Sequence, residues 1–207
     1  MIIEKIEDQE EKIWFEDKET KTKFTRIIGG LGWPGTKPGF ALVVAEDFDE
    51  DPSLKIRHVR VLAEADDQSL EILFQKCLEL RGRYQVQEFY GNREHEPMMK
   101  ILYDYNWALK DMPSLSLCLA SFPEDLGYHV YVIKEHLKQD KKILHFGEES
   151  ILPGYLLELS PEEAVKGSVY DHPAIAALGY VVSYLKSHPY RRKKPTRYRR
   201  PTSWKTV

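Results

Sequence analysis

Apolar residues recur along this chain with two periods, and the switches between them mark out its elements. Phe24–Gly30 is a β-branched run that ends in glycines, and Phe40–Ala45 is apolar at every position. In Ile56–Ala63, His58 and Arg60 alternate with Val59 and Val61. A continuous apolar run of this length, or an alternation of polar and apolar positions, predicts a strand. Asp66-Asp67-Gln68-Ser69 reads as a turn whose acids suit a helix N-terminus, and Leu70, Leu73, Phe74, Cys77 and Leu78 then fall on one helical face. A strand at Val86–Tyr90 broken by Gly91, a helix opened by Pro97 and a strand at Leu115–Ala120 follow. Next come a helix at Leu126–Lys138, a short strand at Ile143–Phe146, and helices over 148–158 and 173–187.

Three strands ahead of the first helix predict an antiparallel meander, and the later alternation predicts parallel strands joined by crossover helices. The expected fold class is α/β, a mixed sheet flanked by helices on both faces over residues 24–187. Residues 1–23 alternate charges around Ile2, Ile3, Ile6, Ile13, Trp14 and Phe15, which predicts an N-terminal docking arm or hairpin. Residues 188–207 are expected to form a basic, flexible tail.

Composition narrows the class. With 207 residues, 42% hydrophobic and 30% charged, the chain fits one soluble domain with arms. No apolar run approaches the ~18 residues of a membrane span, and the acidic start Met1–Glu19 is the opposite of a signal peptide, so a cytoplasmic protein without a membrane partner is expected. Cys77 and Cys118 share no Cys-x-x-Cys spacing and sit in apolar segments, as buried free thiols do. The net charge of −3 conceals a split: residues 190–207 hold eight basic residues and no acid, which leaves −11 on residues 1–189. In the tail, Arg191, Arg192, Lys193, Lys194, Arg197, Arg199 and Arg200 are interleaved with Tyr198 and Trp204. Cations that neutralise phosphates and rings that stack on bases make these the candidate nucleic-acid contacts; docking on a protein is the alternative.

Several chemical signatures fail on context. Gly30-Leu31-Gly32-Trp33-Pro34-Gly35-Thr36-Lys37 has glycines at phosphate-loop spacing but ends Thr-Lys and runs into Pro38-Gly39 and a strand, where a phosphate loop needs a helix. The acid run Glu46-Asp47-Phe48-Asp49-Glu50-Asp51 lacks the glycine and closing glutamate of a calcium loop and reads as a solvated turn. His58, His129, His136, His145 and His188 show no metal-ligand spacing, and no Gly-x-Ser-x-Gly elbow is present.

Four segments carry a resemblance. Asp171-His172-Pro173-Ala174-Ile175-Ala176-Ala177-Leu178-Gly179-Tyr180 resembles the last-helix motif of the nuclease domain of bacteriophage large terminases. Ile27-Ile28-Gly29-Gly30-Leu31-Gly32-Trp33 with the strand Phe40–Val44 resembles that domain's first hairpin, and Phe89-Tyr90-Gly91-Asn92 its strand ending in Tyr-(Ala/Gly)-Asp-Pro. The stretch Glu148–Glu158, with Pro153-Gly154-Tyr155-Leu156-Leu157-Glu158, is similar to the family's Leu-Ile-x-Glu-Leu segment. The resemblance spans about residues 24–187 and implies a ribonuclease H-like fold. It also implies that three metal-binding aspartates of the family are replaced here, by Gly32, Asn92 and Ala176.

Two-metal phosphodiester cleavage requires several carboxylates converging on hard cations. Without three of them, the expectation is a terminase-like component of phage or prophage DNA packaging with an inactive nuclease centre and no required cofactor. Its expected partners are double-stranded DNA and a packaging ATPase, portal or small terminase subunit, since no motor ATPase segment accompanies the nuclease-like part. Two alternatives remain: an Mg²⁺- or Mn²⁺-dependent endonuclease with displaced ligands, and a structural assembly module of the motor. For the enzyme, Asn92, Glu94 and Asp171 are the candidate catalytic residues, and Asp171 and Glu94 the candidate ligands of a weakly bound ion. Simpler roles compete: Asp171 as an N-cap ahead of Pro173, and Glu94 and Glu96 as acids at the start of the Pro97 helix.

Overall fold

A computed structural model describes residues 1–7, 13–47, 58–110, 114–119, 125–137, 144–160 and 162–187. Among them are eight strands in one mixed sheet and six helices. β1 (Ile3–Glu7) and β2 (Ile13–Asp17) pair antiparallel, and β3 (Lys23–Gly32), β4 (Gly39–Asp47) and β5 (Val59–Asp67) form the antiparallel meander. Then come α1 (Leu70–Tyr84), β6 (Phe89–Gly91), α2 (Glu96–Leu109), β7 (Leu117–Leu119) and α3 (Leu126–Leu137). β8 (Leu144–His145), α4 (Leu152–Glu158), α5 (Glu163–Lys166) and α6 (Pro173–Ser187) complete the order.

β3 organises the sheet. β4 pairs along its length on one side; on the other, β2 takes its start (Phe15↔Phe24) and β6 its end (Gly29↔Phe89 to Leu31↔Gly91). β6 is parallel to β3, β7 is parallel to β6, and β8 is parallel to β5. β6 and β7 arrive through α1 and α2, the crossovers that parallel strands require. The N-terminal hairpin extends the same sheet through β2.

The unbroken apolar run of β4 follows from cover on both faces. Phe40, Leu42 and Val44 enter a core with α3, α4, α5 and α6, while Ala41, Val43 and Ala45 enter a second core with α1 and α2. A fully buried Leu, Val or Phe in such a core contributes about 1.5–3 kcal/mol. α6 lies on the first face, and its described side chains are buried from Ala174 to Ser183. Its backbone approaches β3 directly: a Cβ built on Gly30 would meet the Ala177 carbonyl, and one built on Gly32 would meet the Pro173 backbone. Both approaches fall inside the 3.0 Å that real Cβ contacts essentially never cross, so these glycines are required for space.

Several boundaries differ from the sequence expectation. Asp66 and Asp67 are strand residues opposite Phe40 and Gly39, so the turn shrinks to Gln68-Ser69, where the Ser69 amide donates to Asp67 Oδ1 at 2.9 Å. Gly91 continues β6 through its pairing with Leu31, whose carbonyl an added Cβ would crowd at 2.9 Å. β6 itself begins at Phe89, later than Val86. The helix expected from residue 148 begins at Leu152, after a turn in which Glu64 accepts from the Ser150 hydroxyl and the Ile151 amide. The short α5 was not anticipated. Ile56, Asp49–Asp51, Ala120, Lys138, Ile143 and the whole tail lie outside the described residues.

Candidate functional site

The parallel strands β3 and β6 end side by side, and the loop after β3 and the first turn of α6 meet there. Trp33, 2% exposed, closes the end of β3: its indole N–H donates to the Asn92 carbonyl at 2.6 Å. Asn92 follows β6 and is 5% exposed. Its side-chain oxygen accepts from the Glu94 amide at 2.8 Å, and its side-chain nitrogen donates to the Tyr170 hydroxyl at 2.9 Å. This Asx arrangement leads into α2, whose N-cap is His95: Nδ1 accepts from the Met98 amide at 3.4 Å. The His95 ring stands edge-on to Tyr170, with centroids 4.9 Å apart. Tyr170 also presses its carbonyl where a Gly35 side chain would be, so it ties the β3 loop, the end of β6 and the approach to α6 together.

The structure thus joins Gly32, Asn92 and the start of α6, but gives the matched positions structural work. Gly32 has no room for a side chain. Ala176 is 2% exposed, belongs to the apolar core, and donates its amide to the His172 carbonyl at 3.0 Å. Asp171 is not the cap expected ahead of Pro173: its carboxylate reaches across to the β3 loop and accepts from the Thr36 hydroxyl at 3.0 Å. Glu94 is exposed, and Glu96 is the first residue of α2. Among the described residues, no group of three or more His, Cys, Asp or Glu is placed to hold a metal ion.

A second feature adjoins this junction and was not legible in the sequence. Lys37, Phe40, Tyr155, His172, Ala174 and Ile175 line a small depression. Lys37 lies over the Tyr155 ring, 5.7 Å from its centroid, and Tyr155 packs edge-on against Phe40 at 5.8 Å. His172 is 9% exposed; burial and the Lys37 charge lower its pKa, against the opposing pull of Glu163 and Asp171. Hydrogen bonds from Ser160 hold the Glu163 carboxyl below its usual range.

Other polar residues meet elsewhere. On the α6 face, Arg26 Nε lies 2.6 Å from Glu46 Oε2, and its guanidinium sits 5.5 Å from the Tyr184 ring centroid. Tyr184 stacks on Tyr90 at 4.1 Å, and the Tyr90 hydroxyl donates to Glu88. His58 and His145 share a ring N···N hydrogen bond of 2.9 Å beside the β5–β8 pair, and buried His129 packs edge-on to Tyr180 at 4.8 Å. None of these three histidines joins a group of three or more possible metal ligands among the described residues. The tail contacts Arg191, Arg192, Lys193, Lys194, Arg197, Tyr198, Arg199, Arg200 and Trp204, and His188, lie outside the described residues. Compared with known proteins, the chain matches no family model, no curated protein and no solved structure.

Proposed function

We propose that this chain is a terminase-like component of phage or prophage DNA packaging, a ribonuclease H-like scaffold that holds DNA and no longer cuts it. The scaffold reading is supported by the β3-β4-β5 meander extended by β6 and β7 in parallel through α1 and α2. It is supported further by the meeting of the β3 end, the β6 end and the start of α6, the three places where the family resemblance put metal-binding aspartates. The observation that carries the loss of chemistry is Gly32. The backbone of α6 occupies the space that a carboxylate at this position needs, so the packing of the domain excludes the ligand. Asn92 spends both ends of its amide on Glu94 and Tyr170. Hydrolysis through two hard cations is then unsupported, and binding is the function left to the fold.

DNA would be held chiefly by phosphates. The tail supplies eight basic residues in eighteen positions. The partners in this reading are double-stranded DNA and a packaging ATPase, portal or small terminase subunit. The test is fluorescence anisotropy of a labelled duplex over a salt series. If most of the tail cations pair with phosphates, log Kd should change with log salt at a slope near about 5 to 7 in magnitude. Deleting residues 190–207 should remove nearly all binding, since the rest of the chain carries −11. A truncated chain that binds as tightly, with the same slope, would remove the tail from the DNA interface; a full chain that binds no duplex at low salt would end the reading.

A further inference from the structure

We propose that the outward face of α2 docks on a second copy of this chain, helix against antiparallel helix, with Lys100 of each copy meeting Asp104 and Trp107 of the other. This surface shares no residue with the junction at Gly32 and Asn92 or with the basic tail.

α2 turns only part of its circumference to the protein. Leu102 is buried, and Met98, Met99 and Tyr105 pack against the core beneath α1. The Asn106 side chain donates to the Leu115 carbonyl at 2.7 Å and accepts from the Leu115 amide at 2.9 Å, which fixes the rotation of the helix. On the other side, Lys100, Ile101, Tyr103, Asp104, Trp107 and Ala108 are all exposed, Tyr103 at 63% and Trp107 at 86%. Positions 100, 103, 104 and 107 follow the i, i+3, i+4, i+7 spacing of a contact stripe, here turned to solvent. A single exposed apolar side chain is ordinary; two large rings one turn apart with Ile101 on the same helix are a patch. Tryptophan and tyrosine are also the side chains that most often anchor an interface.

Charge and area select a second copy as the occupant. The stripe carries one cation, Lys100, and one anion, Asp104, one turn apart, so it is neutral and complementary to itself. A two-fold axis crossing α2 near Tyr103 and Asp104 reverses the helix direction, brings each Lys100 opposite the Asp104–Trp107 side of the other copy, and repeats every contact. Asp104 and Trp107 are neighbours at i, i+3, so one ammonium can pair with the carboxylate and lie over the indole face. A DNA backbone calls for an excess of cations, which this stripe lacks. A buried aromatic side chain covers about 150–250 Å², so four rings at the exposures above bring roughly 600 Å². With Lys100, Ile101 and Asp104 of both copies, the total approaches the ~1,000 Å² at which specific association begins. An interface of that size gives a weak dimer, with Kd on the order of 10 µM.

The experiment is sedimentation velocity of the full chain without DNA, at concentrations from about 1 to about 200 µM, a range that brackets the expected Kd. The weight-average sedimentation coefficient should rise from that of a monomer to that of a dimer. Trp107→Ser should weaken dimerisation at least about tenfold, as loss of an interface anchor does. Lys100→Asp and Asp104→Lys each set like charges against one another across the two-fold axis and should weaken it by a similar factor. The two exchanges together restore opposite signs and should dimerise at least about threefold more tightly than either alone, a recovery that only self-association produces. All three positions are exposed, so thermal melts of the variants at low concentration should match the wild type. A chain that stays monomeric throughout overturns the proposal, as does a dimer that Trp107→Ser leaves unchanged or a double exchange no tighter than the single ones. A monomer whose affinity for duplex DNA falls on Trp107→Ser also overturns it and gives the face to nucleic acid.

Discussion

Replacing Gly32 by alanine inserts one methyl group between β3 and the backbone of α6. The added carbon would meet the oxygen, carbonyl carbon and Cα of Pro173, all within 3.0 Å, and these are main-chain atoms that no rotamer change can move. The helix must shift, and its buried neighbours Ala174, Ile175, Ala177, Leu178 and Val181 shift with it. Overpacking of this kind typically costs about 1–3 kcal/mol and occasionally more. The loss of unfolded-state entropy on Gly→Ala returns about 0.4–1 kcal/mol. Because the obstacle here is backbone, we expect a net destabilisation of about 2 kcal/mol, a fall in Tm of about 4–8 °C for a chain of this size. Gly82→Ala is the matched control: it lies in α1 with nothing within 4 Å of an added Cβ. Helix propensity should make that variant more stable, by about 0.8–1 kcal/mol. Thermal and urea melts of the three proteins measure both effects. A Gly32→Ala protein as stable as wild type would refute the packing argument and reopen the position to a carboxylate. Gly32→Asp carries the same clash plus a carboxylate forced towards a carbonyl oxygen, and should fare worse still.

Three further outcomes follow from the same structure. Cys77 is fully buried and its thiol pKa is pushed up by burial, so in native protein it should stay unmodified by a disulfide reagent at pH 8 until urea unfolds the chain; prompt titration of both cysteines in the folded state would contradict this. Burial raises the carboxyl pKa of Asp17, but hydrogen bonds from the Thr20 hydroxyl and the Glu19 amide outweigh it and hold the group below its usual 3.8. A depressed folded-state value adds stability above the unfolded pKa and loses it as pH falls through the folded one, so Asp17→Asn should cost about 1 kcal/mol at neutral pH and progressively less in acid below pH 3.8, as read by urea melts. Arg26→Met should be strongly destabilising, by about 3–5 kcal/mol, since it leaves Glu46 charged at 3% exposure; Arg26→Met with Glu46→Gln should recover part of that loss in a double-mutant cycle.

The legible parts of the fold were those where burial alone determines the pattern. β4 reads as an unbroken apolar run because both its faces are covered, and α1 and α6 show helical spacing over fifteen residues each. β6, β7 and β8 have three, three and two residues, too few for a period, and their ends are set by pairing that no local pattern encodes. Asp66 and Asp67 look like turn residues, yet the register with β4 keeps them in the strand. At the site, Gly32 and Asn92 were visible as motif positions, but the reason for each, the α6 backbone over one and Tyr170 beside the other, is a long-range contact. The partnership of Thr36 with Asp171 spans 135 residues and displaced the expected N-cap. Lys37, Tyr155 and His172 come from a loop, α4 and the approach to α6, and only the folded chain joins them into one depression.

The central claim is that this scaffold holds DNA without cutting it, and plasmid nicking tests it most directly. Supercoiled plasmid incubated with the full chain and Mn²⁺ should remain supercoiled, with no activity that depends on the region around Gly32, Asn92 and Asp171. Robust conversion to nicked or linear DNA, abolished by Asp171→Ala or Glu94→Ala, would contradict the account and assign those carboxylates to a working metal centre.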